Sequence, residues 1–279
     1  MGTPRLASVR LRGHDGGPLR LDVRSGGRPG DARPAIVVCH GFKGFRNWGF
    51  FPHAASRLAL AGFTSVTFDF SGSGVGEDGE SFDELDRWRR QTISGDLADL
   101  QTVVDWAVSQ GAPWVGLLGH SRGGATALIH AAGDLRVKAL VTWAAVCAYL
   151  RWPEDQVEQW RRLGSLEVVN LRTGQVLPVG LDLLDDLEAH RNGKLDVLAA
   201  AARIRVPWLI VHGTADETVP AEDGARLLAA SRSGGGGARL LPVQGAGHTF
   251  GVGHPWTGSG PAFDLVLDRT VALFSAALA

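Results

Sequence analysis

The chain has 279 residues, 44% of them hydrophobic and 20% charged, which suits one α/β domain with room for an insertion. Lys and Arg total 28 against 29 Asp and Glu, a formal net charge of −1, so there is no electrostatic case for nucleic acid or an anionic membrane surface as partner. No apolar run reaches membrane-span length, no cluster has zinc-ligand spacing, and Met1 to Leu21 lacks the apolar centre of a signal peptide, so a cytoplasmic location is expected.

Ala7 to Arg12 and Leu19 to Arg24 alternate apolar and polar residues around His14-Asp15-Gly16-Gly17-Pro18, which predicts an antiparallel hairpin at a sheet edge. Arg28-Pro29-Gly30-Asp31 is a loop into a buried strand, Pro34 to Cys39, followed by His40-Gly41-Phe42-Lys43-Gly44. Phe51 to Ala61 has helical spacing and stops at Gly62; Thr64 to Phe68 is a strand ending at Asp69. The glycines at 72, 74 and 76 have the wrong spacing for a dinucleotide fingerprint. Leu97, Leu100, Val103, Val104 and Ala107 mark a helix ending near Gly111. Trp114 to Leu118 is a strand, Gly124 to Ala132 a helix and Val137 to Ala145 a strand. Residues 148–194 break the alternation, with a helix at Asp155 to Leu163 and a small hairpin turning at Thr173-Gly174. The pattern resumes with a strand at Pro207 to His212, a helix at Ala221 to Ser231, a flexible link at Ser233 to Gly237, a strand at Arg239 to Val243 and a helix at Phe263 to Leu278. Apolar strands alternating with helices imply a mostly parallel, doubly wound sheet. Cys39 and Cys147 lie in or just after core strands and read as small buried hydrophobes.

The chemistry concentrates at Gly119-His120-Ser121-Arg122-Gly123. A G-x-S-x-G turn between strand and helix is a nucleophile elbow, with the serine hydroxyl presented at the end of the sheet. A serine needs a base, and the base needs an orienting acid. Asp216 follows the strand ending at His212, and His248 lies in the glycine-rich loop after the strand ending at Val243. Glu217 is the neighbouring rival acid; Asp69 precedes the serine and suits a structural role. His40 and His212 each precede a glycine at a strand end and read as loop braces, His130 as packed, and His53, His190 and His254 as surface or lid residues. For the oxyanion hole, the backbone N–H groups of Arg122 and Phe42 are the candidates.

Taken together, His40-Gly41-Phe42, Phe68-Asp69-Phe70-Ser71-Gly72-Ser73-Gly74, Gly119-His120-Ser121-Arg122-Gly123-Gly124, His212-Gly213-Thr214-Ala215-Asp216 and Gly245-Ala246-Gly247-His248 resemble the α/β-hydrolase superfamily. Within it the chain is most similar to bacterial cinnamoyl/feruloyl esterases, although those often carry glutamine where Arg122 stands. The resemblance implies Ser121 as nucleophile, His248 as base, Asp216 as acid, and Phe42 and Arg122 as oxyanion donors. It implies an α/β-hydrolase core at 1–147 and 195–279 with a lid at 148–194, no cofactor, and a small or aromatic (hydroxycinnamoyl-like) ester as substrate. Trp143, Tyr149, Trp152 and Trp160 are the candidate substrate-binding aromatics. The exposed lid offers a surface for a homodimer. Amide or peptide hydrolysis and thioester hydrolysis or acyl transfer use the same triad, and a non-turnover receptor could keep the same pocket.

Overall fold

The computed structural model describes residues 3–27 and 31–278; of the loop expected at Arg28-Pro29-Gly30-Asp31, residues 28–30 lie outside them. Strands β1 (Arg5–Arg12) and β2 (Pro18–Ser25) form the expected hairpin, with Arg5 opposite Ser25 and Arg12 opposite Pro18. Strand β3 (Ala35–Cys39) is buried at every residue, as a central strand should be. Helix α1 (Phe51–Leu60) starts with a proline in its first turn, where the missing N–H costs no hydrogen bond. Strand β4 (Thr64–Phe68) follows, then the short helix α2 (Leu85–Arg89) and the long helix α3 (Ile93–Ser109). Helix α3 is capped by Thr92, whose hydroxyl accepts the Gly95 N–H at 3.0 Å.

Strand β5 (Val115–His120) runs into helix α4 (Arg122–Ala131), and strand β6 (Val137–Trp143) returns beside it. Strand β6 ends two residues earlier than its composition suggests. Ala144 has φ +47, which turns the chain out of the sheet over the Ser121 turn. The core then resumes with helix α7 (Val197–Arg203), strand β9 (Trp208–Gly213), helix α8 (Ala221–Ser233), strand β10 (Arg239–Val243) and helix α9 (Pro261–Ala276), after an insertion holding helix α5 (Glu154–Leu163), strands β7 (Ser165–Val169) and β8 (Val176–Gly180) and helix α6 (Leu181–His190). Helix α8 takes in Ser233, so the flexible link is shorter than expected.

The main sheet has the order β1-β2-β4-β3-β5-β6-β9-β10. Strands from β4 to β10 pair in parallel, and β2 joins β4 antiparallel. One apolar layer, including Leu100, Val104, Leu117 and Leu128, covers one face; the other, including Phe50, Leu58, Val141 and Phe263, covers the opposite face. The parallel strands therefore end on a common rim, where open α/β sheets place their sites.

The insertion continues the first layer. Leu177, Val179, Leu183, Leu184 and Leu187 are buried, and the Trp160 indole N–H donates to the Val179 carbonyl at 3.0 Å. The small hairpin is wider than its turn signal implied, with Ser165 opposite Gly180. Among the described residues, no helix is long and apolar enough to cross a membrane.

Candidate active site

Ser121 sits between β5 and α4 with φ +57 and ψ −124, a conformation that non-glycine residues avoid. The surroundings impose it. The Ser121 N–H donates to the Trp143 carbonyl at 2.8 Å, and its own carbonyl accepts the Gly124 N–H at 3.0 Å. The flanking glycines are a packing requirement. A Cβ at Gly119 would overlap the Gly123 carbonyl oxygen, and one at Gly123 would overlap the carbonyl oxygens of Cys39 and His40. The serine thus stands at the N-terminus of α4, where unpaired backbone N–H groups and the helix dipole favour negative charge.

The loop after β3 runs against the same point. A Cβ at Gly41 would lie 2.9 Å from the Ser121 Cβ, so only glycine lets the backbone leading to Phe42 approach this closely. His40 holds the loop, with its Nε2 accepting the Phe70 N–H at 3.2 Å and its Nδ1 2.9 Å from the Gly41 carbonyl. Burial pushes His40 down to about 4, which keeps this brace neutral. Asp69 is likewise structural: it accepts the Arg46 N–H at 2.6 Å and pairs with the Arg46 guanidinium.

The loops after β9 and β10 bring Asp216 and His248 together. His248 Nδ1 lies 2.8 Å from Asp216 Oδ2. The other carboxylate oxygen accepts the N–H groups of Thr218 at 2.9 Å and Val219 at 2.8 Å. His212 Nε2 stands 3.5 Å from Oδ2 and 2.9 Å from the Val219 carbonyl, bracing the turn from below. Burial alone would raise the Asp216 carboxyl, but the hydrogen bonds from His212, His248 and Val219 outweigh it and hold the group well below the usual carboxylate range. Glu217, the rival acid, is exposed. His120 fixes the base from the elbow side, its Nε2 3.0 Å from the His248 carbonyl and its ring 4.7 Å from the His248 ring. Burial, then the neighbouring His248, pushes His120 down to about 3. This brace was not anticipated, and its position beside the serine is the only sequence signal for it.

Ser121 opens onto two cavities. One, of about 150 Å³, is lined by Phe42, Ile93, Val146, Tyr149, Trp152 and Leu187 among others. The second, of about 330 Å³, joins Ser121 to His248 and passes Lys43, Trp48 and the hairpin tip at Asn170 to Arg172. Tyr149 and Trp152 therefore reach the site. Trp143 and Trp160 do not line it, which corrects the expectation for both. Trp143 is wholly buried on the opposite face of the sheet, packed on Phe50 and Phe263 with its N–H on Thr270 at 2.9 Å. Trp160 fastens α5 to β8 and touches Trp152 edge-on at 5.2 Å. His254 is also not a surface residue: it accepts the Gly49 N–H at 3.0 Å and packs against Phe45 and Trp48. The Arg122 side chain lines the smaller cavity, held by Gln91 at 2.7 Å and Asp96 at 3.4 Å, with its guanidinium 4.9 Å over the Phe42 ring. Among the described residues, no group of three His, Cys, Asp or Glu is placed to hold a metal ion.

The model of the prolyl oligopeptidase family matches residues 48–258. An Escherichia coli protein described as an uncharacterized 31.7 kDa protein in the traX-finO intergenic region is 29% identical over 234 residues, 72% of this chain and 79% of its own. The 2,6-dihydropseudooxynicotine hydrolase of Paenarthrobacter nicotinovorans is 26% identical over 214 residues, 73% of this chain but only 49% of its own length. Est1E of Butyrivibrio proteoclasticus, solved with ferulic acid bound, superposes with a TM-score of 0.74 at 20% identity, covering 97% of this chain and 99% of that one.

Proposed function

The chain belongs to the prolyl oligopeptidase family and has the α/β-hydrolase fold, and from that premise we propose that it is a serine carboxylic-ester hydrolase working through an acyl-enzyme. Ser121 is the nucleophile, His248 its base and Asp216 the acid that orients the imidazole. The observation that carries this reading is the pairing of His248 with Asp216 at 2.8 Å beside a cavity that also holds Ser121 on a strained turn.

The steps follow from the groups present. Ser121 Oγ adds to the ester carbonyl while His248 Nε2 accepts the hydroxyl proton. The carbonyl oxygen becomes an oxyanion, held by the backbone N–H groups of Phe42 and Arg122. Asp216 stabilises the imidazolium, which then protonates the departing alcohol. Water activated by the same imidazole attacks the acyl-enzyme, and the acid leaves with Ser121 restored. The smaller cavity, largely apolar and lined by Tyr149 and Trp152, suits a small or aromatic acyl group; Est1E with ferulic acid offers a precedent of the same fold. Residues 148–194 form the lid over this pocket, inserted between core segments 1–147 and 195–279.

A second reading, amide or peptide hydrolysis, is favoured by the family itself. Parallel assays on matched ester, amide and thioester substrates of one acyl group separate the two. Ester turnover that is fastest, continues past one equivalent and disappears in Ser121→Ala supports the proposal. A higher kcat/KM on the amide selects the peptidase reading, and a single acyl release followed by silence selects a binding protein.

A further inference from the structure

The two cavities at Ser121 differ in chemistry. The smaller is largely apolar, and its two arginines, Arg122 and Arg151, are paired with Asp96 and Asp223, whereas the larger is bounded by Lys43, Asn170 and Arg172, and among the described residues no carboxylate lines it. Lys43 is half-buried at φ +57, and burial pushes its ammonium below the ordinary lysine value. Its Nζ donates to the Val169 carbonyl at 3.1 Å, and among the described residues no carboxylate stands within ion-pair distance of it. Asn170 adds a second unmet demand. Its Oδ1 accepts the Arg172 N–H at 3.2 Å, while its Nδ2 is shielded from water and has no hydrogen-bond partner among the described residues. A buried donor left in this state destabilises the protein until an acceptor arrives. Arg172 contributes more donors at the rim, with Nη2 on the Glu80 carbonyl at 3.1 Å, although Asp78 offsets part of its charge.

We propose that the larger cavity receives the leaving group and is built for one that carries an anion, carboxylate or phosphate. Lys43 supplies the opposing charge and Asn170 Nδ2 the orienting hydrogen bond. This rests on the serine hydrolase reading and extends it from the acyl half of the substrate to the other half. The hairpin tip is fastened by side-chain bonds to carbonyl oxygens: Lys43 to Val169, Arg172 to Glu80 and Gln175 to Phe82. An anion that takes Lys43 loosens the first of these and lets the Asn170 amide turn toward it. The site thus couples leaving-group recognition to movement of the hairpin tip.

The test uses one acyl group, the one cleaved fastest as its p-nitrophenyl ester, on four alcohols: 3-hydroxypropanoate, its uncharged carboxamide isostere, 2-hydroxyethyl phosphate and n-butanol. The expected result is a kcat/KM about tenfold higher for the carboxylate or the phosphate ester than for the carboxamide, expressed mainly in KM. The preference should shrink as salt is raised. The ratio between the two anionic esters distinguishes carboxylate from phosphate as the preferred anion. Lys43→Met, which keeps the alkyl stem, should bring the charged-to-neutral ratio near one. Asn170→Asp, which keeps the acceptor for the Arg172 N–H, should invert it. A wild-type ratio near one, or a ratio that Lys43→Met leaves unchanged, overturns the anion site. Fluorophosphonate labelling of the same wild-type preparation separates the two levels: labelling with a ratio near one removes only this inference, and a folded protein without labelling removes the hydrolase reading and this inference with it.

Discussion

Asp216→Asn isolates the orienting role of one carboxylate. The Oδ1 position is fixed by the N–H groups of Thr218 and Val219 at 2.9 and 2.8 Å, which only an oxygen can accept. The asparagine oxygen therefore takes that position, and the NH2 group faces His248 Nδ1, now at 2.8 Å from Oδ2. A donor there forces the imidazole to present its Nδ1 lone pair, which places the proton on Nε2. The ring can then no longer accept from Ser121. A tautomer locked in this way lowers kcat on the order of 10⁴, roughly 5.5 kcal/mol of barrier. Stability changes less, by about 1–3 kcal/mol, through loss of charge-assisted hydrogen bonds. Because the folded-state carboxyl lies below its unfolded value, its contribution is fully present above about pH 4 and is lost as pH falls through the folded value. The variant should therefore lose less stability than wild type below pH 4. The assay is steady-state hydrolysis of a p-nitrophenyl ester at pH 8, with thermal unfolding at pH 3 and pH 8. Activity within about tenfold of wild type would refute the tautomer argument.

Gly123→Ala drives a Cβ into the carbonyl oxygens of Cys39 and His40, which are backbone and cannot step aside; it should cost about 1–3 kcal/mol or more by thermal melting and remove activity with it. Thr92→Ala deletes the cap of α3 and should cost about 1 kcal/mol in urea unfolding, with kcat/KM for the ester retained. Asp96 is buried with one oxygen unpartnered among the described residues, and burial raises it to about 7. The folded state then keeps a proton that the unfolded chain has released, so Asp96 lowers stability as pH rises from about 4 to about 7. Asp96→Asn should flatten that part of the stability profile, as measured by urea unfolding at pH 5 and pH 7. Trp152→Ala should change the acyl-chain preference, whereas Trp160→Ala, which removes the pin between α5 and β8, should cost about 3–5 kcal/mol of local stability and open the insertion to protease.

Elements with a long apolar period or a hard stop, such as β3, α1 and α3, could be read directly, because burial and capping leave their mark on consecutive residues. So could the meeting of Asp216 and His248. Each follows a strand of the same parallel sheet, and parallel strands deliver their next residues to one rim. Helix α2 escapes because Leu85 to Arg89 is too short to show a period, and α6 because its leucines fall within an insertion that breaks the strand–helix alternation. The aromatic residues divided for a reason that sequence does not carry. Trp143 and Tyr149 lie six residues apart, but the turn at Ala144 sends them to opposite faces of the sheet. Lys43 and Asn170 escaped notice because their meaning depends on the carboxylate absent beside Lys43 and the acceptor absent beside Asn170 Nδ2 among the described residues, and such absences are visible only in three dimensions.

The central claim is that Ser121 is an activated nucleophile. The most direct measurement is intact mass after incubation with a fluorophosphonate, with peptide mapping, on wild type beside Ser121→Ala and Asp216→Asn. The account predicts one adduct on Ser121 in wild type, none in Ser121→Ala and slow labelling in Asp216→Asn. A folded wild type that stays unlabelled, or an adduct that persists in Ser121→Ala, would contradict it.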